Sequence, residues 1–170
     1  ISSCKKYKRI LCEKPVGLSK DEINEIKTAI RKNETCFIVN YALRFLPCLN
    51  EIKEFTKNNE IKSVTIICNA NFNKFPPNKA WKSDYKSGGG ILYSILPHMV
   101  DLLNFLNFEE SLSDITFESI SKTPMDDISL YSKTKSGIKT AIHIDLLKDF
   151  DEFTLKLETP KGGKIFNLIN

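Results

Sequence analysis

The first forty residues constrain the fold more than any other stretch. Residues 8–12 (Lys-Arg-Ile-Leu-Cys) read as a short strand, closed by a turn at Glu13-Lys14-Pro15-Val16-Gly17. Ser19 offers an N-cap, and Glu22 three residues later completes a capping box. Ile23, Ile26 and Ile30 then recur at helical spacing up to Lys32-Asn33. Cys36-Phe37-Ile38-Val39 is a wholly apolar run, the pattern of a strand covered on both faces. Strand, helix and strand in so short a span make a βαβ unit, and the crossover forces the strands parallel. A parallel pair does not stand alone, so the expectation is that most of its sheet precedes Ile1.

After Tyr41 the pattern changes. Leu46, Leu49, Ile52 and Phe55 mark a helix beginning around Pro47, where proline is tolerated in the first turn. Val64, Ile66, Cys68, Ala70 and Phe72 then alternate strictly with mostly polar residues, as in a strand with one buried face. A loop rich in Pro, Asn and Lys leads to Gly88-Gly89-Gly90. Beyond it Leu92, Ile95, Leu96, Met99, Leu102, Leu103 and Leu106 form one apolar helical stripe. The remainder reads as strands: Ile138 to Leu147 and Phe153 to Glu158 alternate, with Ser136-Gly137 and Lys161-Gly162-Gly163 as turn chemistry. The expected fold class is α+β: an open, mostly antiparallel sheet with helices on one face, preceded by a partial βαβ piece. The expected division is residues 1–40 and 41–170.

Composition narrows the function classes. With 41% apolar and 27% charged residues in 170, the chain can bury roughly two-thirds of its unfolded surface and is no disordered or low-complexity segment. No run approaches the ~18 consecutive apolar residues of a membrane-spanning helix, so no membrane partner is expected. The net charge of +4 comes from 25 basic and 21 acidic residues spread along the chain. Nucleic-acid binders concentrate basic charge on one face, so no nucleic-acid partner is expected. The five cysteines are odd in number, without a C-x-x-C pair or a histidine at ligand spacing. They read as free thiols of a reducing cytoplasm, with no metal site.

Three places could carry chemistry. On one continuous helix, Ser94, His98 and Asp101 fall within an arc of roughly 60°. That helix is apolar nearly all round, and a buried imidazole or carboxylate without a partner costs several kcal/mol. Either His98 is a satisfied core histidine bonded to its i+3 carboxylate, or it is a general base tuned by that carboxylate. The glycine triplet lets a ligand approach the backbone closely or lets a turn adopt positive φ. Glu13-Lys14-Pro15 follows a parallel strand, and ligands of open α/β sheets bind beyond the carboxyl ends of strands. Lys14 there could meet a substrate hydroxyl or a ribose, or be an exposed turn lysine. Arg44, at the exit of the next strand, could be a substrate or cofactor contact or a surface cation.

In order and spacing, three blocks resemble the Gfo/Idh/MocA family of oxidoreductases, which includes glucose–fructose oxidoreductase and inositol dehydrogenases. Arg9-Ile-Leu-Cys-Glu-Lys-Pro15 is similar to its strand and Glu-Lys-Pro signature. Asn40-Tyr-Ala-Leu-Arg-Phe-Leu-Pro47 is similar to its Arg-Phe-x-Pro segment. Trp81-Lys-Ser-Asp84 leads into Gly88-Gly-Gly-Ile-Leu-Tyr-Ser-Ile-Leu-Pro-His98-Met-Val-Asp101, which resembles its glycine triplet and His-x-x-Asp helix.

The resemblance implies a Rossmann domain holding NAD or NADP and a second α+β domain that binds a sugar-like substrate and pairs with another copy through its open sheet. It implies catalytic roles for Lys14, His98 and Asp101. Glu13, Lys14, Pro15 and Arg44 would contact cofactor, and Tyr41, Trp81, Ser94 and Asp101 substrate. The bond before Pro15 is often cis in the family. Two departures stand out. The family usually has Asp at the position of Ser94 and Gly at that of Leu96, and the glycine-rich dinucleotide loop is absent from these residues. Residue 1 is expected to fall inside the helix before the Glu-Lys-Pro strand. The implied activity is dehydrogenation of a CH–OH group on a sugar, nucleotide sugar or cyclitol. The alternative is a catalytically silent member acting as a ligand-sensing or protein-interaction module.

Overall fold

The computed structural model describes residues 1–71, 88–108, 115–118 and 127–169. They form two compact units, Ile1–Ala42 and Leu43–Asn170.

The first unit opens with helix α1 (Ser2–Lys6) and strand β1 (Arg9–Cys12). Helix α2 (Lys20–Lys32) crosses to strand β2 (Cys36–Val39), and the two strands pair in parallel, Arg9 opposite Cys36 and Cys12 opposite Val39. The Ser19 hydroxyl accepts from the Glu22 N–H at 3.2 Å. The Glu22 carboxylate reaches back to the N–H of Leu18 (2.7 Å), one residue earlier than the reciprocal bond of an ideal capping box. The apolar run of β2 is covered on only one face here. Leu11 and Ile38, cross-strand neighbours, are 70% and 56% exposed.

A short 3-10 turn (Ala42–Phe45), whose first residue ends the first unit, leads to helix α3 (Leu49–Asn58) of the second, which starts two residues after Pro47. Strand β3 (Ser63–Asn71) enters a sheet whose other described strands are β4 (Thr116–Glu118), β5 (Asp127–Lys133), β6 (Lys139–Asp145), β7 (Leu147–Thr159) and β8 (Gly162–Asn167). Among the described residues the order is β4-β5-β6-β3-β7-β8. Neighbours are antiparallel except β3 and β6, which run parallel. That is the open, mostly antiparallel sheet expected from the alternating runs.

Helices pack on one face. Leu49 and Ile52 of α3, Ile91, and Met99, Leu102 and Leu103 form a single core with Val64, Ile66, Ile142, Ile144, Leu155 and Leu157 of the sheet. The opposite face carries Thr65 and Ile67 of β3, Ala141 and His143 of β6, and Thr154 and Lys156 of β7, all half-buried.

The helix after the glycines is not continuous. Helix α4 (Gly90–Ser94) ends at Ile95, and α5 runs from Leu96 to Phe105. Pro97 explains the break: it has no N–H to give the Tyr93 carbonyl, and its ring would collide with that carbonyl in a straight helix. Among the described residues no helix is long and apolar enough to cross a membrane, and no three His, Cys, Asp or Glu side chains could hold a metal ion.

Candidate functional site

The expected site residues divide between the two units. In the first, β1 and β2 end side by side. The Asn40 N–H donates to the Cys12 carbonyl at 2.8 Å, carrying the ladder one residue past β2. The Asn40 side-chain amide donates to the Glu13 carboxylate at 2.7 Å. Glu13 therefore braces the two strand ends. Lys14 follows it, half-buried, and the Lys14–Pro15 bond is cis. Tyr41 stands just beyond β2, half-buried, its N–H donating to the Val39 carbonyl at 3.1 Å.

In the second unit the glycine triplet solves a backbone problem. Gly88 and Gly90 take φ of 82° and 74°, a region that costs a residue bearing a Cβ roughly 1–2 kcal/mol. All three glycines are buried. The chain can thus turn tightly into α4 with no side chain in the way. The Ser94 hydroxyl oxygen and His98 Nδ1 are both enclosed away from solvent.

Because the helix breaks at Ile95, Ser94 does not share one continuous helical face with His98 and Asp101. The arc expected for all three applies to His98 and Asp101 alone, which sit three residues apart on α5 and so face the same way.

Asp101 is buried, 8% exposed, and Arg44 meets it edge on. The guanidinium Nε donates to Oδ2 at 2.8 Å and an Nη to Oδ1 at 2.6 Å. A fork-on-fork pair of this kind fixes direction as well as charge. The same guanidinium lies 5.3 Å from the ring centre of Phe105, one turn past Asp101, and the Lys53 ammonium sits 3.9 Å from that centre. Sequence reasoning named both Arg44 and Asp101 but did not pair them. The signal was available: a carboxylate on an apolar helix needs a cation, and Arg44 stands in the nearest expected site segment.

Trp81, expected at the substrate, lies outside the described residues. The second histidine, His143, belongs to the other sheet face. Its Nδ1 is 2.9 Å from the Ser129 hydroxyl, and the Tyr131 ring packs edge-on at 5.4 Å. Burial pushes its pKa below the usual histidine value, against an upward pull from Glu118.

No protein-family model matches the sequence. Relatives do. An uncharacterized oxidoreductase, YrbE of Bacillus subtilis, is 32% identical over 100 residues, covering 58% of this chain and 28% of that protein. The rhizopine catabolism protein MocA of Rhizobium meliloti is 22% identical over 134 residues, 75% of this chain and 41% of MocA. Glucose-6-phosphate 3-dehydrogenase of Bacillus subtilis is 28% identical over 121 residues, 68% and 33% of the two chains.

Among solved structures, levoglucosan dehydrogenase in complex with NADH and levoglucosan superimposes with a TM-score of 0.76 at 17% identity, over 94% of this chain and 47% of that one. A myo-inositol dehydrogenase from Corynebacterium glutamicum gives 0.69 at 18%, over 92% and 48%. The chain spans less than half the length of each of these five proteins. Three motif blocks in order, a cis Lys14–Pro15 bond, a glycine-opened helix and the relatives' shared sequence agree: the chain is similar to oxidoreductases of the Gfo/Idh/MocA family over part of their length.

Proposed function

We propose that this chain supplies the substrate side of an NAD(P)-dependent dehydrogenase that oxidises a CH–OH group of a sugar, nucleotide sugar or cyclitol. The observation that carries the reading is His98. Its imidazole is set one residue behind Pro97 on α5, half-buried with Nδ1 enclosed, on the helix that follows the glycine-opened α4. An imidazole so held can exchange a proton near neutral pH.

In this reading His98 takes the hydroxyl proton as the hydride leaves the same carbon, and Lys14 donates a hydrogen bond to the hydroxyl oxygen. Ser94 and Tyr41 orient the substrate, as would Trp81. The nicotinamide, when bound, supplies the hydride acceptor. What the first unit offers that cofactor is limited. Lys14 and the Glu13–Asn40 pair at the carboxyl ends of β1 and β2 suit a ribose hydroxyl. The pyrophosphate has no glycine loop in these residues. A second copy of the chain is proposed to cover the open sheet face, whose half-buried Thr65, Ile67, Ala141 and Thr154 form a mixed surface.

The test is turnover by a polypeptide carrying this sequence together with a dinucleotide-binding half. NAD+ and NADP+ reduction is measured against aldoses, sugar phosphates, nucleotide sugars and cyclitols. Removing a general base costs about 10²–10⁴-fold, and His98→Asn should lose that much. Unchanged turnover in that variant contradicts the reading. Ser94, where the family usually has Asp, favours a second reading: a silent member that binds sugars. That reading expects saturable sugar binding by calorimetry with no dinucleotide reduction at all.

A further inference from the structure

We propose that Arg44 is a positioning residue of this site: it holds Asp101 as the anionic half of a fixed ion pair, so that His98 faces a neutralised carboxylate. The proposal rests on the reading of His98 as a base and adds a role that this reading does not contain.

Residues three apart on a helix have Cβ atoms about 5–6 Å apart, so whatever charge Asp101 carries is felt by the His98 ring. A lone carboxylate at that range stabilises imidazolium, and a base held protonated cannot accept a proton. Arg44 cancels that field. Both its bonds are short, 2.8 and 2.6 Å, and they engage both carboxylate oxygens. The pair is also locked in orientation, because the guanidinium lies over Phe105 on the next turn of α5.

Buried apolar side chains flank the carboxylate along the helix: Met99, Leu102 and Leu103 are each at most 4% exposed. Asp101 therefore sits in surroundings where an uncompensated charge acts strongly. Among the described residues, ionisable groups on elements packed along α5 include Tyr93 on α4, Glu51, Lys53, Glu54 and Lys57 on α3 and Cys68 on β3. Lys53 is engaged at the Phe105 ring, and burial keeps the Cys68 thiol neutral. The bidentate Arg44–Asp101 pair lies three residues along α5 from His98, a spacing at which its charges act on the ring. On this account Arg44 acts on the chemistry through Asp101 and need not touch cofactor.

The chain has two histidines, which makes the test direct. Imidazole signals of His98 and His143 are followed by NMR as pH is varied, in the 170-residue chain, and assigned with His143→Gln. Arg44→Gln should raise the His98 midpoint by about one pH unit. Arg44→Lys, which restores the charge, should return it most of the way. His143, on the opposite sheet face, reports that the fold is intact and should not move. An unmoved His98 beside a native His143 signal overturns the proposal. Should Arg44→Gln fail to fold, Asp101→Asn decides. It removes the anion and leaves the cation, so His98 should fall by a similar amount, and no change there also overturns the proposal. Neither outcome depends on turnover. The dehydrogenase reading can therefore fail while this one stands, and the reverse.

Discussion

Burial separates the five cysteines more sharply than composition could. All are free thiols, with Cys36 exposed and Cys4 buried. Cys68, enclosed at the core side of β3 near Asp151, has its pKa pushed up to about 11 by burial first and by that negative charge second. At pH 8 about one Cys68 in a thousand is then thiolate, and the thiolate is the reactive form. Timed alkylation of the native chain with iodoacetamide should label Cys36 first and leave Cys68 and Cys4 unmodified until the chain unfolds. Because the native pKa lies above the unfolded value of 9.0, the native state holds its proton longer. Stability is intact below pH 9 and falls as pH rises toward 11, by at most about 1.4 kcal/mol per pH unit. Urea titrations should show that slope, and Cys68→Ala should flatten it. His143 works in the opposite sense. Its pKa is lowered, so it contributes stability above the unfolded histidine pKa, and this is lost as pH falls below that value.

At the scale of elements, the caps and breaks are local and most were legible. Ser19 caps α2 as its position before the isoleucine stripe indicates, and Ser19→Ala should cost about 1 kcal/mol in denaturant titration. Gly90→Ala should cost roughly 1–2 kcal/mol, because φ of 74° is hostile to a Cβ. Alternation located β3 and β6 because one face of each is buried in a single core, and period-two burial is what a half-covered strand requires. The break at Ile95 was missed because the apolar stripe runs unbroken through Pro97, so hydrophobic period alone could not register a lost hydrogen bond. β7 is longer than its alternating stretch: Leu147–Glu152 pairs with less regular burial, and β3 shifts register between Asn69 and Asn71 against it. The parallel pairing of β3 with β6 also escaped the sequence. Strands far apart in the chain choose neighbours by tertiary packing, which no local pattern encodes. Of the site, individual residues could be named, but the clasp of Arg44 on Asp101 joins residues 57 positions apart in the chain and became visible only in space.

For the whole molecule, the account makes two demands on solution behaviour. The 170 residues lack a G-x-G-x-x-G loop, so NADH added to this chain should leave the emission of its single tryptophan, Trp81, unchanged. Saturable quenching at micromolar NADH would show that these residues hold the dinucleotide unaided. The open sheet face should bring two copies together. Sedimentation should give a dimer that Ile67→Asp, a charge at the centre of that face, converts to monomer, with the His98 resonance retained.

The central claim is that one imidazole and one ammonium serve the same hydroxyl. A crystal structure of a protein carrying this sequence with its dinucleotide-binding half, NADH and the best substrate from the turnover screen measures that directly. The account predicts the His98 ring nitrogen and the Lys14 ammonium within about 3 Å of one substrate oxygen. A substrate bound with either group out of reach of that oxygen would contradict it.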